Sequence, residues 1–131
     1  MGQFGEVAIK AVKLIQSGAV KDPCTAWEHS VGCLVHSASS EEKGCPKDAF
    51  LGLCSARLVK GIPPGTYTGS VKNSMYATSA VALLKASLPL PTNEPSELWR
   101  LTLSSIGEDV NKTHNSQMDV VLALWNNGWI L

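Results

Sequence analysis

The segment Asp48-Ala49-Phe50-Leu51-Gly52-Leu53 has a counterpart 71 residues later, Asp119-Val120-Val121-Leu122-Ala123-Leu124. In both segments an acidic residue precedes five apolar or small residues, which is typical of a buried helix. The same register aligns Leu58-Val59 with Trp129-Ile130. We interpret the two segments as equivalent helices of two related units.

Two further matches occur earlier in each unit. Ala8-x-x-Ala11-Val12-x-Leu14-Ile15 resembles Ala77-x-x-Ala80-Val81-x-Leu83-Leu84 at an offset of 69, and Pro23-x-x-x-Trp27 resembles Pro95-x-x-x-Trp99 at an offset of 72. Three matches in one order predict an internal duplication with Trp27 and Trp99 at equivalent core positions. The alternative is that helices rich in Ala, Val and Leu resemble one another by composition, and that proline is common in a first helical turn.

Apolar residues at helical spacing predict six helices, so the fold class is all-α. We expect a single helical domain over residues 1–131, built from three-helix repeats at 3–61 and 72–131 that pack about a pseudo-two-fold axis. The turn-rich stretch 62–70 joins the repeats. The predicted helices run from about Gln3 to Ser17, from Asp22-Pro23, from Cys45-Pro46 to Gly61, from about Ser74 to Ser87, from Glu94-Pro95 to Gly107, and from Ser116 to Gly128.

Three of these helix starts carry capping signals. Asp22 before Pro23 is a carboxylate N-cap followed by proline at the first helical position. Ser116 with Asp119 forms a capping-box pattern, and Cys45 with Asp48 has the same layout. We therefore expect Asp48 and Asp119 to lie in first helical turns, where the helix dipole favours a carboxylate.

Composition narrows the possible partners. Eleven basic residues balance eleven acidic ones in the 131-residue chain, and a neutral chain lacks the basic surface that drives binding to nucleic acid or anionic membranes. The stretch from Ser37 to Gly44 is also longer than the turn of a helix-turn-helix motif. Without a signal peptide or an apolar run long enough to cross a bilayer, a cytoplasmic location is expected.

The four cysteines give no metal-binding spacing. They lie at positions 24, 33, 45 and 54, whereas zinc sites usually contain close cysteine pairs. Cys33 and His36 are three residues apart and could share a metal, but one such pair is weak support. The repeat aligns three of the cysteines with Ser96, Ser105 and Ser116, so we expect structural thiols, no metal and no cofactor.

Two functional hypotheses remain. The first is a non-catalytic interaction protein, a homodimer anchored by Trp125 and Trp129 in the apolar C-terminal tail. The second is a small enzyme or ligand-binding protein that uses a groove between the repeats near residues 60–72, where hydroxyl side chains lie between two lysines. No catalytic motif is present. The candidate ligand or interface residues are Lys60, Tyr67, Lys72, His36, Cys45, Trp125 and Trp129.

Gly44-Cys45-Pro46-Lys47-Asp48-Ala49-Phe50-Leu51-Gly52-Leu53-Cys54, followed by Leu58-Val59-Lys60-Gly61-Ile62-Pro63, resembles the signature stretch of a family of small bacterial proteins without assigned function. Asn115-Ser116-Gln117-Met118-Asp119-Val120-Val121-Leu122-Ala123-Leu124-Trp125 is similar to the C-terminal stretch of that family. The resemblance implies a bacterial source, and a mobile or environmental gene cassette. It implies no activity, cofactor or catalytic residue.

Overall fold

A computed structural model describes residues 2–86 and 94–131. Within these ranges the chain forms six α-helices and no extended strand, which confirms the predicted all-α class. Ser87, where the fourth helix is predicted to end, lies outside the described residues. The helices are α1 (Gly2–Gln16), α2 (Pro23–Leu34), α3 (Ser40–Ser55), α4 (Val71–Ala86), α5 (Pro95–Ser105) and α6 (Gln117–Asn126).

The start of α2 follows from local capping alone. The Asp22 side chain accepts a hydrogen bond from Thr25 N at 2.8 Å, and Pro23 occupies the first helical turn. Both features were expected, because a carboxylate satisfies a backbone N–H that has no partner within the helix and proline has no N–H to satisfy.

The predicted start of α3 is wrong by several residues. The helix begins at Ser40, because Ser39 and Glu42 form a reciprocal capping box in which Glu42 N donates to Ser39 Oγ at 3.1 Å. Pro46 therefore lies inside the helix, where it lacks the N–H that would bond to the Glu42 carbonyl. The helix ends at Ser55 rather than Gly61.

The capping role predicted for Cys45 and Asp48 is consequently wrong. Both residues lie in the interior of α3. Asp48 Oδ1 instead accepts a hydrogen bond from Thr68 Oγ1 at 2.8 Å, which ties the connecting loop to this helix. The carboxylate thus fixes a long-range contact rather than a helix end.

The largest buried side chains lie between the helices. Trp27 (1% exposed) stacks on Phe50 with ring centres 5.2 Å apart, and Trp99 (4% exposed) meets the ring of Tyr76 edge-on at 4.9 Å. Among the described residues, α1 packs against α2 and α6, whereas α3 packs against α4 and α6. Helix α6 therefore lies at the centre of the fold.

The C-terminal residues pair with the segment that follows α3. Val59 and Ile130 form an antiparallel bridge. Lys60 N donates to Trp129 O at 2.9 Å, and Leu131 N donates to Leu58 O at 2.8 Å. These two hydrogen bonds hold the tail against its own chain.

Candidate functional site

A polar cleft of about 370 Å³ opens between α3, α4 and the loop that leads into α6. We call it the lysine cleft. The described residues that line it are Cys45, Lys72, Asn73, Tyr76, Lys112, Thr113, Asn115 and Gln117.

Helix α4 supplies one wall of the cleft. Lys72, Asn73 and Tyr76 lie in its first two turns. Ser70 Oγ fixes the helix start, because it accepts hydrogen bonds from Asn73 N at 3.4 Å and from Asn73 Nδ2 at 3.2 Å. The start of this helix lies three residues earlier than the predicted Ser74, and the earlier start is what places Lys72 and Asn73 on the helix.

The loop before α6 supplies the opposite wall. Trp99 Nε1 donates to Lys112 O at 2.8 Å, which anchors the loop to the core. Gln117 Nε2 donates to Asn73 Oδ1 at 3.2 Å and so joins this wall to α4. Asn115 Nδ2 lies 3.9 Å from the Cys45 thiol on α3. Side chains that line the cleft thus link α6 to α4, and the loop before α6 to α3.

Tyr76 forms the floor of the cleft. Its side chain is 2% exposed, and its hydroxyl is buried with no hydrogen-bond partner among the described residues. An unpaired buried hydroxyl costs about 1–3 kcal/mol. Lys112 Nζ lies 5.9 Å from the centre of the Tyr76 ring, which is a favourable position for a cation.

The charge in the lysine cleft is positive. Lys72 and Lys112 line it, and none of the described lining residues is acidic. The first turns of α4 and α6 also border it, and the helix dipole makes that end of each helix partly positive. The remaining lining side chains offer amide, hydroxyl and thiol groups, which can donate hydrogen bonds to an anion.

A second cavity, of about 420 Å³, shares Asn115 with the lysine cleft as a lining residue. We call it the acidic cavity because Glu42 and Asp119 line it and, among the described residues, no lysine or arginine does. Burial raises the pKa of Asp119 above its ordinary value. The lining residues are Gly2, Gln3, Phe4, Glu42, His114, Asn115, Ser116 and Asp119.

His114 supplies the cap of α6. Met118 N donates to His114 Nε2 at 3.0 Å, while Ser116 adopts φ +67° and makes no side-chain capping bond to the helix backbone. The capping box predicted for Ser116 and Asp119 is therefore wrong. Burial lowers the pKa of His114 to about 4. The ring is thus neutral at pH 7, and because Nε2 accepts, Nδ1 carries the proton.

Of the predicted site residues, the lysine cleft brings together only Cys45 and Lys72. Tyr67 lies in the connecting loop, where its N–H donates to Ser55 Oγ at 2.9 Å and its hydroxyl donates to Pro63 O at 2.5 Å. Lys60 is exposed beside the C-terminal tail, and His36 is exposed after α2.

Trp125 and Trp129 are half-buried and pack against the core of their own chain. The backbone bonds of the tail described above hold Trp129 in place. These contacts account for the apolar character of the tail within a single chain. Homodimer formation through this tail stays a prediction.

Sequence patterns do not identify the other lining residues, Asn73, Tyr76, Lys112, Thr113, Asn115 and Gln117. A capping-type Ser70 followed by Asn73 was the one local signal that could have placed the start of α4 beside this cleft. The position of Lys112 depends on its carbonyl meeting Trp99, and no local pattern shows that contact.

The cysteines differ in environment. Cys54 is fully buried, and burial raises the pKa of its thiol well above the ordinary value, as expected for a structural thiol. Cys33 is exposed, so the expectation of a packing role is wrong for this residue. In the described part of the chain, no three or more His, Cys, Asp or Glu side chains come together as a metal site.

Helices of membrane-spanning length and hydropathy are absent from residues 2–86 and 94–131.

Comparison with known proteins found no similar protein among those with curated functions and no similar solved structure. A family model matches residues 1–131, the whole of the sequence. The chain therefore belongs to a family of unknown function (DUF6979).

Proposed function

We propose that the protein binds a small anionic molecule in the lysine cleft. The charge of the cleft carries this proposal, because Lys72 and Lys112 line it without an acidic partner among the described lining residues. Lys72 and Lys112 are both exposed, and two ammonium groups beside a concave surface attract an anion with an energy that falls as the salt concentration rises.

The shape of the cleft favours a small ligand. A volume of about 370 Å³ lies near the lower end of the range for small-molecule sites. The half-buried amide group of Asn115 can fix the orientation of a ligand, since polar groups at defined positions provide specificity in such sites. The buried Tyr76 hydroxyl, which lacks a partner among the described residues, is a further donor that a ligand could satisfy.

The position of the cleft also agrees with a groove between the predicted repeats. Cys45 comes from the first predicted repeat, whereas the other lining residues come from the second. The groove lies at the α4 end of the connecting loop, beside Lys72, and not at Lys60 or Tyr67. We therefore favour ligand binding over an interface formed by the C-terminal tail.

Isothermal titration calorimetry with inorganic phosphate, succinate and adenosine monophosphate tests this function, with glycerol and adenosine as uncharged controls. We expect at least one of the anions to bind and the uncharged compounds not to bind. The double variant Lys72→Met/Lys112→Met should weaken binding by about tenfold, because an exposed ammonium group contributes up to about 1 kcal/mol to an ion pair and the variant removes two of them.

A matched control removes two lysines elsewhere. Lys13 and Lys21 are exposed and do not line the cleft. The variant Lys13→Met/Lys21→Met has the same net charge as the test variant and should retain binding. An equal loss in both variants would mean that net charge, and not the cleft, attracts the anion, and would contradict the proposal.

We also propose that the chain is a duplicated three-helix unit, in which α1, α2 and α3 correspond to α4, α5 and α6. The bridge between Val59 and Ile130 supports this, because these residues are 71 positions apart and are counterparts in the predicted register. An element that pairs antiparallel with its own counterpart is what a two-fold axis requires.

Equivalent backbone turns end α3 and α6, which further supports duplication. Leu58 N donates to Leu53 O and Trp129 N donates to Leu124 O, both at 3.0 Å. The preceding residues, Arg57 (φ +62°) and Gly128 (φ +73°), share the left-handed conformation. Such turns satisfy the last carbonyl groups of a helix.

A buried polar pair gives a third line of support. Ser30 and Thr102 are 72 positions apart, both are fully buried, and each hydroxyl donates to the carbonyl four residues earlier at 2.8 Å. An experimental structure tests the duplication by superposition of residues 3–61 on 72–131. Placement of Trp27 on Trp99 is expected, and unrelated environments for these two residues would contradict the duplication.

The bacterial source, the gene cassette and the cytoplasmic location stay predictions.

A further inference from the structure

Helix α2 carries an exposed imidazole and an exposed thiol one turn apart. His29 and Cys33 are separated by four residues, so their side chains lie on the same face of the helix. Cys33 Sγ and His29 Nε2 are 3.8 Å apart. Helical spacing also pairs Cys33 with His36, but His36 follows the end of the helix.

This separation fits two ligands of one zinc ion. Zinc binds cysteine sulfur at about 2.3 Å and histidine nitrogen at about 2.0–2.1 Å in tetrahedral geometry, which places the two ligand atoms about 3.6 Å apart. The observed 3.8 Å is close to that value. A metal could therefore enter between the two atoms with little side-chain movement.

Two ligands fill half of a tetrahedral site. Structural zinc sites have four protein ligands, and no third His, Cys, Asp or Glu joins this pair among the described residues. The nearby Glu28 is engaged by Lys47, whose Nζ lies 2.5 Å from Glu28 Oε1. The described part of this chain thus supplies two ligands, and a second molecule can supply the other two.

The face of α2 around this pair permits a close approach. Gly32, between the two ligands in sequence, is exposed, and a Cβ atom built there would meet nothing within 4 Å. The chain has no net charge at pH 7, so a second copy meets no net repulsion. Pairing about a two-fold axis would present the same two ligands again.

We propose that His29 and Cys33 form half of a zinc site that a second copy of the chain completes, giving two histidine and two cysteine ligands. On binding, each Cys33 thiol releases one proton to solvent and binds the metal as a thiolate, and each His29 binds through neutral Nε2. This inference does not depend on the lysine cleft.

Titration of the whole chain with Co²⁺, a spectroscopic substitute for Zn²⁺, tests the proposal together with light scattering. We expect a thiolate-to-cobalt charge-transfer band that saturates at half an equivalent of metal, displacement of Co²⁺ by Zn²⁺, and a doubled mass that a chelator reverses. His29→Ala and Cys33→Ser should each lower the affinity by more than about tenfold.

Matched variants separate this site from other thiols and histidines. Cys33→His should retain zinc-dependent dimerisation but lose the charge-transfer band, whereas His36→Ala should change neither. The absence of the band, or its loss in His36→Ala, would overturn the chelate. Binding of one metal per chain with an unchanged mass would overturn the shared site.

Discussion

Gly52 on α3 lies directly against the backbone of Ser74 on α4: a Cβ atom at position 52 would lie 2.6 Å from Ser74 Cα. Because the neighbouring atom belongs to the backbone, it cannot rotate away. The absence of a side chain at Gly52 therefore sets the distance between the two helices that form two walls of the lysine cleft.

We expect Gly52→Ala to destabilise the protein. Forcing extra atoms into a packed contact costs about 1–3 kcal/mol, which exceeds the gain of about 1 kcal/mol that alanine brings to a helix. Gly44→Ala is the matched control, because Gly44 lies in the same helix and a Cβ there meets nothing within 4 Å. Chemical denaturation should show a lower free energy of unfolding for Gly52→Ala and a higher one for Gly44→Ala. A higher free energy of unfolding for both variants would contradict the close contact.

Tyr76→Phe should separate stability from ligand binding. Removing a buried hydroxyl that has no partner in the described part of the chain should leave the free energy of unfolding unchanged or raise it by about 1 kcal/mol. If the hydroxyl donates to the bound anion, affinity for that anion should fall at the same time. Thermal unfolding and calorimetry on one preparation measure both. A large loss of stability would mean that the hydroxyl has a partner in the native state.

Stability should fall in acid because of His114. Burial lowers the pKa of this ring from 6.5 to about 4, so the unfolded chain binds the proton more tightly between these values. The free energy of unfolding is therefore highest above pH 6.5 and decreases as the pH falls towards 4. We expect a loss of about 1–2 kcal/mol, allowing for the partial exposure of the ring.

The variant His114→Gln isolates this effect. Its side-chain oxygen can accept the bond from Met118 N but does not titrate, so the acid-dependent loss should shrink. The raised pKa of Asp119 has the opposite effect on stability, because protonation of this carboxyl group in acid favours the folded chain. This effect is expected to be equal in the wild type and the variant. Denaturant unfolding between pH 5 and 8 measures the difference. If the free energy of unfolding of the variant falls with pH as steeply as that of the wild type, the role of His114 is contradicted. The variant His36→Ala, which changes an exposed histidine, serves as the control.

Removing residues 128–131 should destabilise the folded chain. The deletion removes the acceptor of the Lys60 N–H and the packing of Trp129 and Ile130 against the core. We expect a loss of more than about 2 kcal/mol. Light scattering on the full and truncated chains tests the interface hypothesis. If the tail binds only its own chain, both proteins should have the same oligomeric state. A full-length dimer that dissociates on truncation would instead support the tail as an interface.

Helix starts are predictable from the sequence where their determinants are local. Asp22 and Pro23 act within one turn, so the start of α2 was predicted correctly. The start of α3 was wrong because two local signals competed, and the capping box of Ser39 and Glu42 outweighed Pro46.

The candidate site was harder to predict because its determinants are tertiary. Cys45 and Lys72 were identified as candidates, but their neighbours were not. The contacts of Trp99 with Lys112 and of Gln117 with Asn73 join residues 13 and 44 positions apart. Hydropathy patterns carry no information on such polar contacts. The sequence thus predicted the helices well and the cleft only in part.

The central position of α6 has a consequence for backbone dynamics. Residues 120–124 are all buried, and the helix touches α1, α3, α4 and α5. No single neighbour can detach and leave these amides open to water, so their protons should exchange with deuterium only when the whole molecule unfolds. The slowest amides of α6 would then report the global free energy of unfolding directly, without denaturant.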